Sequence, residues 1–287
     1  MSHFTPQEFH YRLDWRTYGV RPGGHASKTL GGNADFRGFN HFLSHPDPKR
    51  IDVRRSLMMV PKTLMVRTFY ERSAINVYAV IDASSSMGFA GDTEKWKKVA
   101  EIASAIAWSA SRQGDAFGLL TADDSVRLDL SEAVSSRRGV AQQIYQKIHS
   151  ATLKPQSSAS ALPKLSTQLG HKKSLVFMIS DFHIELETLK TILRNLAIHD
   201  VVPIVLWDDA EYAHIPAWGW ARVRDIETGA DAALFLRPKL QKKITDAYAL
   251  KRNNLIQLCR KHGARKPFFV DKNFNATQLS QHLLGQD

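Results

Sequence analysis

Ile75-Asn76-Val77-Tyr78-Ala79-Val80-Ile81 is a β-branched run that stops abruptly at Asp82. A near-continuous run of this kind suits a strand covered on both faces, which is the environment of a parallel sheet. Ala116 to Thr121, Ser174 to Ile179 and Val201 to Leu206 repeat the pattern. Helical patterns lie between them. After the small-residue loop behind Asp82, Thr93 can cap a helix whose inward positions are Trp96, Val99, Ala103, Ile106 and Ala110, ending at Gln113-Gly114-Asp115. Arg138 to His149 places Val140, Ile144 and Ile148 on one face. Ala161 to Leu169 is a short helix, and Glu185 to Ile198 turns Leu186, Leu189, Ile192, Leu193 and Leu196 inward. Ser125 to Leu130 is expected as a strand hairpinned to Ala116 to Thr121. Strands alternating with helices predict an α/β fold, an open and mostly parallel sheet with helices on both faces.

The flanks are less regular. Residues 1–73 carry turn signals at Pro22-Gly23-Gly24, Gly31-Gly32-Asn33 and Pro46-Asp47-Pro48 and predict irregular and short-strand structure with no long helix. Leu57 to Val66, interrupted by Pro61 and Lys62, reads as a core strand pair or loop. The main domain is expected over 74–287, with a C-terminal extension from 210. In that extension Trp220 to Asp225 and Ala233 to Leu236 form a hairpin around Glu227-Thr228-Gly229-Ala230, and Trp218 and Trp220 read as core. A helix from Pro238 to His262 follows, then a possible edge strand Phe268-Phe269-Val270 and a terminal helix Ala276 to Leu284.

Composition narrows the function classes. With 287 residues, 43% hydrophobic and 23% charged, the chain matches ordinary globular usage. A single cysteine, Cys259, rules out an intrachain disulfide framework or a multi-cysteine metal site, and reads as a reduced, buried thiol. No 18-residue apolar run occurs, and the polar, aromatic N-terminus lacks the layout of a signal peptide. A soluble cytoplasmic protein without a membrane span is the expectation. The net charge of +11 invites nucleic acid, anionic membrane or acidic protein as partner. The charge sits on the flanks: ten basic against four acidic residues over 21–77, and ten against one over 237–266, while 78–236 carries 16 against 19. The basic C-terminal helix, with Lys239, Lys242, Lys243, Lys251, Arg252, Arg260 and Lys261, shows no interleaved aromatics or nucleic-acid motif, so a solvated face is its first reading.

The string Asp82-Ala83-Ser84-Ser85-Ser86-Met87-Gly88 lies where the first long strand ends, the place where open α/β sheets bind ligands. One carboxylate and two hydroxyls at alternate positions are hard oxygen donors, suited to Mg2+. They leave much of such an ion's charge unneutralised, so the ion would seek another anionic ligand. Ser157-Ser158-Ala159-Ser160 and Ser180-Asp181 can supply further oxygens. Asp123-Asp124 read as a turn into Ser125, and His41 and His45 as solvated or hydrogen-bonded histidines.

Asp-x-Ser-x-Ser after a strand, a later hydroxyl loop and an Asp closing another strand resemble the metal-ion-dependent adhesion site of von Willebrand factor A domains. The resemblance implies a von Willebrand A-like, Rossmann-type fold and a metal set of Asp82, Ser84, Ser86, Ser160 and Asp181, with Ser160 at the family's threonine position. The ion would be magnesium (Mg2+), with Mn2+ or Ca2+ as alternatives. The family's usual Gly-Gly before that threonine is replaced here by Ser158-Ala159. Gly32-Asn33-Ala34-Asp35-Phe36, Lys49 to Ser56 and Leu64-Met65-Val66-Arg67 resemble the bacterial family called domain of unknown function 58, with Asp35 and Val53 in place of its Glu and Trp. Ile215-Pro216 and Asp225 to Gly229 resemble that family's tail. This resemblance implies an adaptor working beside a MoxR-type AAA+ ATPase in the assembly, maturation or metallation of another protein, the MxaS-type members being one branch. It also implies an acidic residue of a partner protein completing the metal shell.

The chain has no phosphate-binding loop and no sequence-local Ser/His/Asp arrangement, so it is not expected to be an enzyme. Two alternatives stand beside the adaptor: a nucleic-acid-binding protein using the basic flanks, and a hydrolase using the same ion to activate water.

Overall fold

The computed structural model describes residues 4–17, 22–89, 91, 94–212, 218–224 and 231–285. The chain forms two compact units. The smaller contains residues 12–75 and 113–115; the larger contains 1–11, 76–112 and 116–287. The sequence placed its boundary after residue 73.

In the smaller unit β1 (Pro22–His41) pairs antiparallel with β2 (Met65–Ser73). A 20-residue strand replaces the expected short pieces. Four register shifts, the first at Pro22/His25 and the last at Phe36/Gly38, absorb turn signals that would otherwise have ended it. Between the strands, Asp47 caps a 3-10 turn at Pro48–Arg50, and Asp52 caps α1 (Val53–Met58) by accepting from the Arg55 N–H at 2.9 Å. Ser56 ties α1 to β2, donating to the Asp52 carbonyl at 2.7 Å and accepting from the Met65 N–H at 2.8 Å. Leu57 to Val60, expected in a core strand pair or loop, are the end of α1 and a loop, with Leu57, Met58 and Val60 exposed.

The larger unit is a mixed α/β structure built on a six-stranded, mostly parallel sheet. In chain order its elements are β3 (Asn76–Asp82), α2 (Lys95–Gln113), β4 (Ala116–Ala122), β5 (Glu132–Ser135), α3 (Val140–His149), β6 (Leu175–Ser180), α4 (Leu186–Asn195), β7 (Asp200–Val205), α5 (Asp209–Tyr212), β8 (Gly219–Arg224), β9 (Asp231–Leu236), α6 (Pro238–Lys261), β10 (Phe268–Phe269) and α7 (Ala276–Leu284). Leu162–Gln168 is a 3-10 segment. The strand order is β10-β7-β6-β3-β4-β5, with β5 antiparallel at the edge. The chain steps outward from β3 to β4 and β5, then returns to lay β6 on the other side of β3. That reversal opens a crevice at the carboxyl ends of β3 and β6.

β3, β4, β6 and β7 are buried almost throughout. On one face Tyr78, Val80, Val176 and Met178 join Leu165, Leu189, Leu193, Leu255 and Cys259, so α4, α6 and the 3-10 segment cover it. From the other face the Phe177 ring meets the Phe9 ring edge-on at 5.6 Å, and the Phe9 N–H donates to the Ser109 hydroxyl of α2. The N-terminal segment is therefore part of this core.

Two sequence expectations are corrected, and the expected C-terminal hairpin is present. The partner strand of β4 lies at Glu132–Ser135, because Ser125 to Leu130 is consumed by a polar turn: Asp123 accepts from the Ser125 N–H and hydroxyl at 2.8 and 3.0 Å and pairs with Arg127. The β8–β9 hairpin stands as a separate two-stranded sheet. Trp218 and Trp220 are exposed there, not core: both meet the Phe235 ring across the hairpin, and among the described residues no second layer covers them. The expected helix cap Thr93, Ile215-Pro216 and the 225–230 turn lie outside the described residues. No helix among those described is long and apolar enough to cross a membrane.

Candidate metal centre

Because β3 is buried on both faces, its last residue, Asp82, is delivered to the crevice almost without solvent exposure. The Ala83 N–H continues the ladder onto the Ala122 carbonyl at 2.8 Å, and then the chain leaves the sheet. A 3-10 turn, Ser85–Gly88, follows with Ser84 in front of it and Met87 fully buried as its anchor. Asp82 folds this loop back on itself: Oδ1 accepts from the Ser84 N–H at 2.9 Å, and Oδ2 accepts from the Ser180 hydroxyl at 2.7 Å. The hydroxyls of Ser84 and Ser86 lie 3.1 Å apart. Ser84 is extended and Ser86 lies in the 3-10 turn, so the two hydroxyls the sequence pointed to meet where the extended chain enters that turn.

Asp181 follows β6, the neighbour of β3. Its Oδ1 accepts from the His183 N–H at 3.1 Å, and its carbonyl from the Trp207 indole at 2.8 Å. Phe182 between them has φ +52 and is buried, a left-handed conformation that costs a bulky residue about 1–3 kcal/mol and is held by its N–H bond to the Ser180 hydroxyl at 2.8 Å. That turn aims the Asp181 carboxylate back across the sheet end.

The serine loop reaches the site through Ser157. The Ser157 carbonyl accepts from the Ser85 N–H at 3.1 Å and from its hydroxyl at 2.9 Å. Ser158 is half-buried and Ser160 exposed. Asp123 frames this loop at both ends, its carboxylate meeting Lys154 at 3.4 Å and its carbonyl accepting from the Ala161 N–H at 3.0 Å. Of the five predicted ligands, Asp82, Ser84, Ser86 and Asp181 converge at the ends of β3 and β6, and the serine loop joins them through backbone.

The sequence reading missed the charges behind Asp181. Lys95, at the start of α2, is buried with its ammonium 3.0 Å from Asp181 Oδ2 and 2.5 Å from Glu211 Oε1. Glu211 Oε2 accepts from the Tyr248 hydroxyl at 3.3 Å, and His183 Nε2 lies 3.6 Å from the same oxygen. Lys95 and Glu211 carried no signal, because a lysine opening a helix and a glutamate on a four-residue helix look like surface residues until the fold buries them.

The electrostatics follow from this burial. Desolvation, and then the neighbouring Asp181 carboxylate, push Asp82 up from 3.8 to about 6. Burial works in the same direction on Asp181, but Lys95 and His183 with its N–H bond together outweigh it and hold that carboxyl below its ordinary value. Burial opposes the charge of Lys95, and Asp181 and Glu211 reverse this and raise it. His183 is pushed down to about 4 by desolvation and is neutral near pH 7. Two buried carboxylates, Asp82 and Asp181, and the partly buried Glu211 thus cluster around one ammonium, which pairs directly with Asp181 and Glu211. Fully ionised, the cluster carries two excess negative charges, the deficit one divalent cation would cancel, and the hydroxyls of Ser84 and Ser86 are hard donors beside it. Among the described residues no three His, Cys, Asp or Glu side chains form a metal site by themselves, so an ion here depends on those hydroxyls.

The sheet order and this cluster define a class: a mixed α/β protein with a carboxylate-and-hydroxyl site at the carboxyl ends of adjacent parallel strands. The chain belongs to the family described as protein of unknown function DUF58, whose model matches residues 49–254. Solved structures similar to it include BatB from Bacteroides thetaiotaomicron, at 13% identity and a TM-score of 0.46 over 74% of this chain and 98% of that one. An aerotolerance-related membrane protein from Bacteroides fragilis NCTC 9343 matches at 15% identity and 0.45 over the same shares. The pilus adhesin SpaC from Lactobacillus rhamnosus GG matches at 12% and 0.42, over 74% of this chain and 29% of that one. No curated protein matches.

Proposed function

We propose that this chain is a metal-dependent protein-interaction module, a von Willebrand A-like domain that binds Mg2+ at its crevice and docks a partner's carboxylate there. The observation that carries this is the excess of carboxylates at Asp82, Asp181 and Glu211, two of which pair with Lys95, beside the paired Ser84 and Ser86 hydroxyls. In this reading Ser84 and Ser86 hold the ion directly, Asp82 and Asp181 balance its charge, and the serine loop closes the shell. The bound ion would supply a Lewis-acidic position for an incoming carboxylate. Ligation by neutral hydroxyls keeps its charge directed outward, so an acidic side chain of a partner is the ligand it favours.

Among the described residues the site offers a binding step and no visible turnover machinery. His183 is half-buried with its Nε2 turned to Glu211 at 3.6 Å and not to the serine hydroxyls, and on this ground the adaptor reading is preferred to a hydrolase. The family resemblance supplies the partner to test, a MoxR-type AAA+ ATPase. Immobilised full-length protein should retain that ATPase in Mg2+ and release it in chelator. Ser84→Ala should abolish retention while leaving the thermal unfolding of the metal-free protein unchanged. Retention that is equal with chelator and with Mg2+ sinks the reading.

A further inference from the structure

The smaller unit carries a surface that the metal site does not use. His41↔Met65 is the last pair of β1 and β2, so the turn after β1, the loop before β2 and α1 share one end of the ribbon, where the Phe42 N–H donates to the Leu64 carbonyl at 2.8 Å. That end is apolar and open to solvent. Leu43 is 93% exposed and Val60 94%, and Val53, Leu57, Met58 and Leu64 are each more than half exposed. Val53 and Leu57, four apart, share a face of α1. Aliphatic side chains this exposed are costly in water and rarely gather in one place without a purpose.

Cations surround them. Residues 36–69 hold seven Lys/Arg against two Asp. Both acids are engaged: Asp47 accepts from the Lys49 N–H and pairs with Arg50 at 2.9 Å, and Asp52 caps α1 and lies 3.7 Å from Arg67. Arg55 and Arg50 sit over the rings of Phe39 and Phe69 at 5.5 Å each, at the base of the same end.

We propose that this end of the β1–β2 ribbon is a peripheral membrane-attachment site that inserts its aliphatic side chains into an anionic lipid surface. A folded partner is held best where large anchors of one surface fill recesses of the other. A recess among the described residues of this unit, of about 220 Å³, is walled by His45, Asp47, Arg50, Val66, Arg67 and Phe69, and none of the exposed aliphatics lines it. A fluid bilayer needs no recess. It accepts protruding Leu, Val and Met singly, while Lys and Arg remain at the headgroups.

The test is sedimentation of the full-length protein with phosphatidylcholine vesicles, with and without phosphatidylglycerol. Binding is expected only to the anionic vesicles, weakening as salt rises. A Val60→Cys variant carrying an environment-sensitive dye, selective because Cys259 is fully buried, should shift its emission to the blue on binding. Leu43→Asn with Val60→Asn should weaken binding more than tenfold, and Arg54→Gln with Arg55→Gln roughly thirtyfold. All four positions are exposed, and unchanged thermal unfolding confirms that each variant is folded. Three results overturn the proposal: no binding to anionic vesicles; binding that leaves the dye in water and the Asn variant unimpaired, which is adsorption without insertion; or binding to polyglutamate and not to vesicles, which means an acidic protein partner.

Discussion

Replacing Asp82 by Asn should leave the metal-free protein at least as stable as the wild type at neutral pH. The folded carboxyl titrates at about 6, above the ordinary 3.8, because burial and Asp181 disfavour its charge. Between those two values the folded chain binds more protons than the unfolded one, so stability falls as pH rises through that window, the reverse of a paired aspartate. At neutral pH the ionised group costs about 3 kcal/mol. Asn keeps the acceptor for the Ser84 N–H but places a donor where Oδ2 accepted from Ser180, a loss of about 1 kcal/mol. The balance is a variant up to about 2 kcal/mol more stable at neutral pH in chelator, and slightly less stable well below pH 3.8, where the Asp82 carboxyl is protonated in the folded and the unfolded chain alike. Mg2+ should invert the ranking. Saturation at a hundredfold excess over Kd stabilises the wild type by about 2.7 kcal/mol and the Asn variant not at all. Urea unfolding at the two pH values, with chelator or Mg2+, reads all four quantities. An Asn variant that loses more than about 2 kcal/mol in chelator at neutral pH would show that Asp82 pins the fold, and refute the reasoning.

Other outcomes follow from the same geometry. Lys95→Met should destabilise the metal-free protein by about 3–5 kcal/mol in chemical denaturation, because Asp181 and Glu211 lose their buried counter-charge, and Mg2+ should recover part of the loss. Phe177→Ala removes a fully buried ring set against Phe9 and should cost about 3–5 kcal/mol by the same assay. Gly118→Ala should be destabilising, since a Cβ there would lie 2.8 Å from the Tyr78 ring carbon across the β3–β4 pair. The Cys259 thiol, buried and raised to about 12, should resist alkylation in the native protein and react once denaturant opens α6.

Some of this was legible in the residues. The apolar runs ending at Asp82 and Ser180 needed only β-branched composition to be placed, since a strand buried on both faces has no polar side to disguise it. The Ser84 and Ser86 spacing pointed to two hydroxyls at one place, and they do meet, although through the 3-10 turn that begins at Ser85 and not along an extended segment. Pro238 and Gly263 marked the ends of α6 within a residue or two, as helix termini with conformational requirements do.

What the sequence left undetermined were relations between distant segments. Periodicity cannot say that β6 returns to the far side of β3, yet that crossover alone brings Asp181 beside Asp82 and makes their charges felt. It cannot show that Lys95 and Glu211, 116 residues apart in sequence, meet at 2.5 Å out of water, or that a 20-residue bulged strand replaces the expected short pieces. Exposure was equally hidden: Trp220 alternates like a core residue, and only a hairpin that no second layer among the described residues covers leaves it open to solvent. Local pattern fixes backbone geometry residue by residue, whereas desolvation and charge pairing depend on which elements the chain brings together, and here that decided the chemistry of the site.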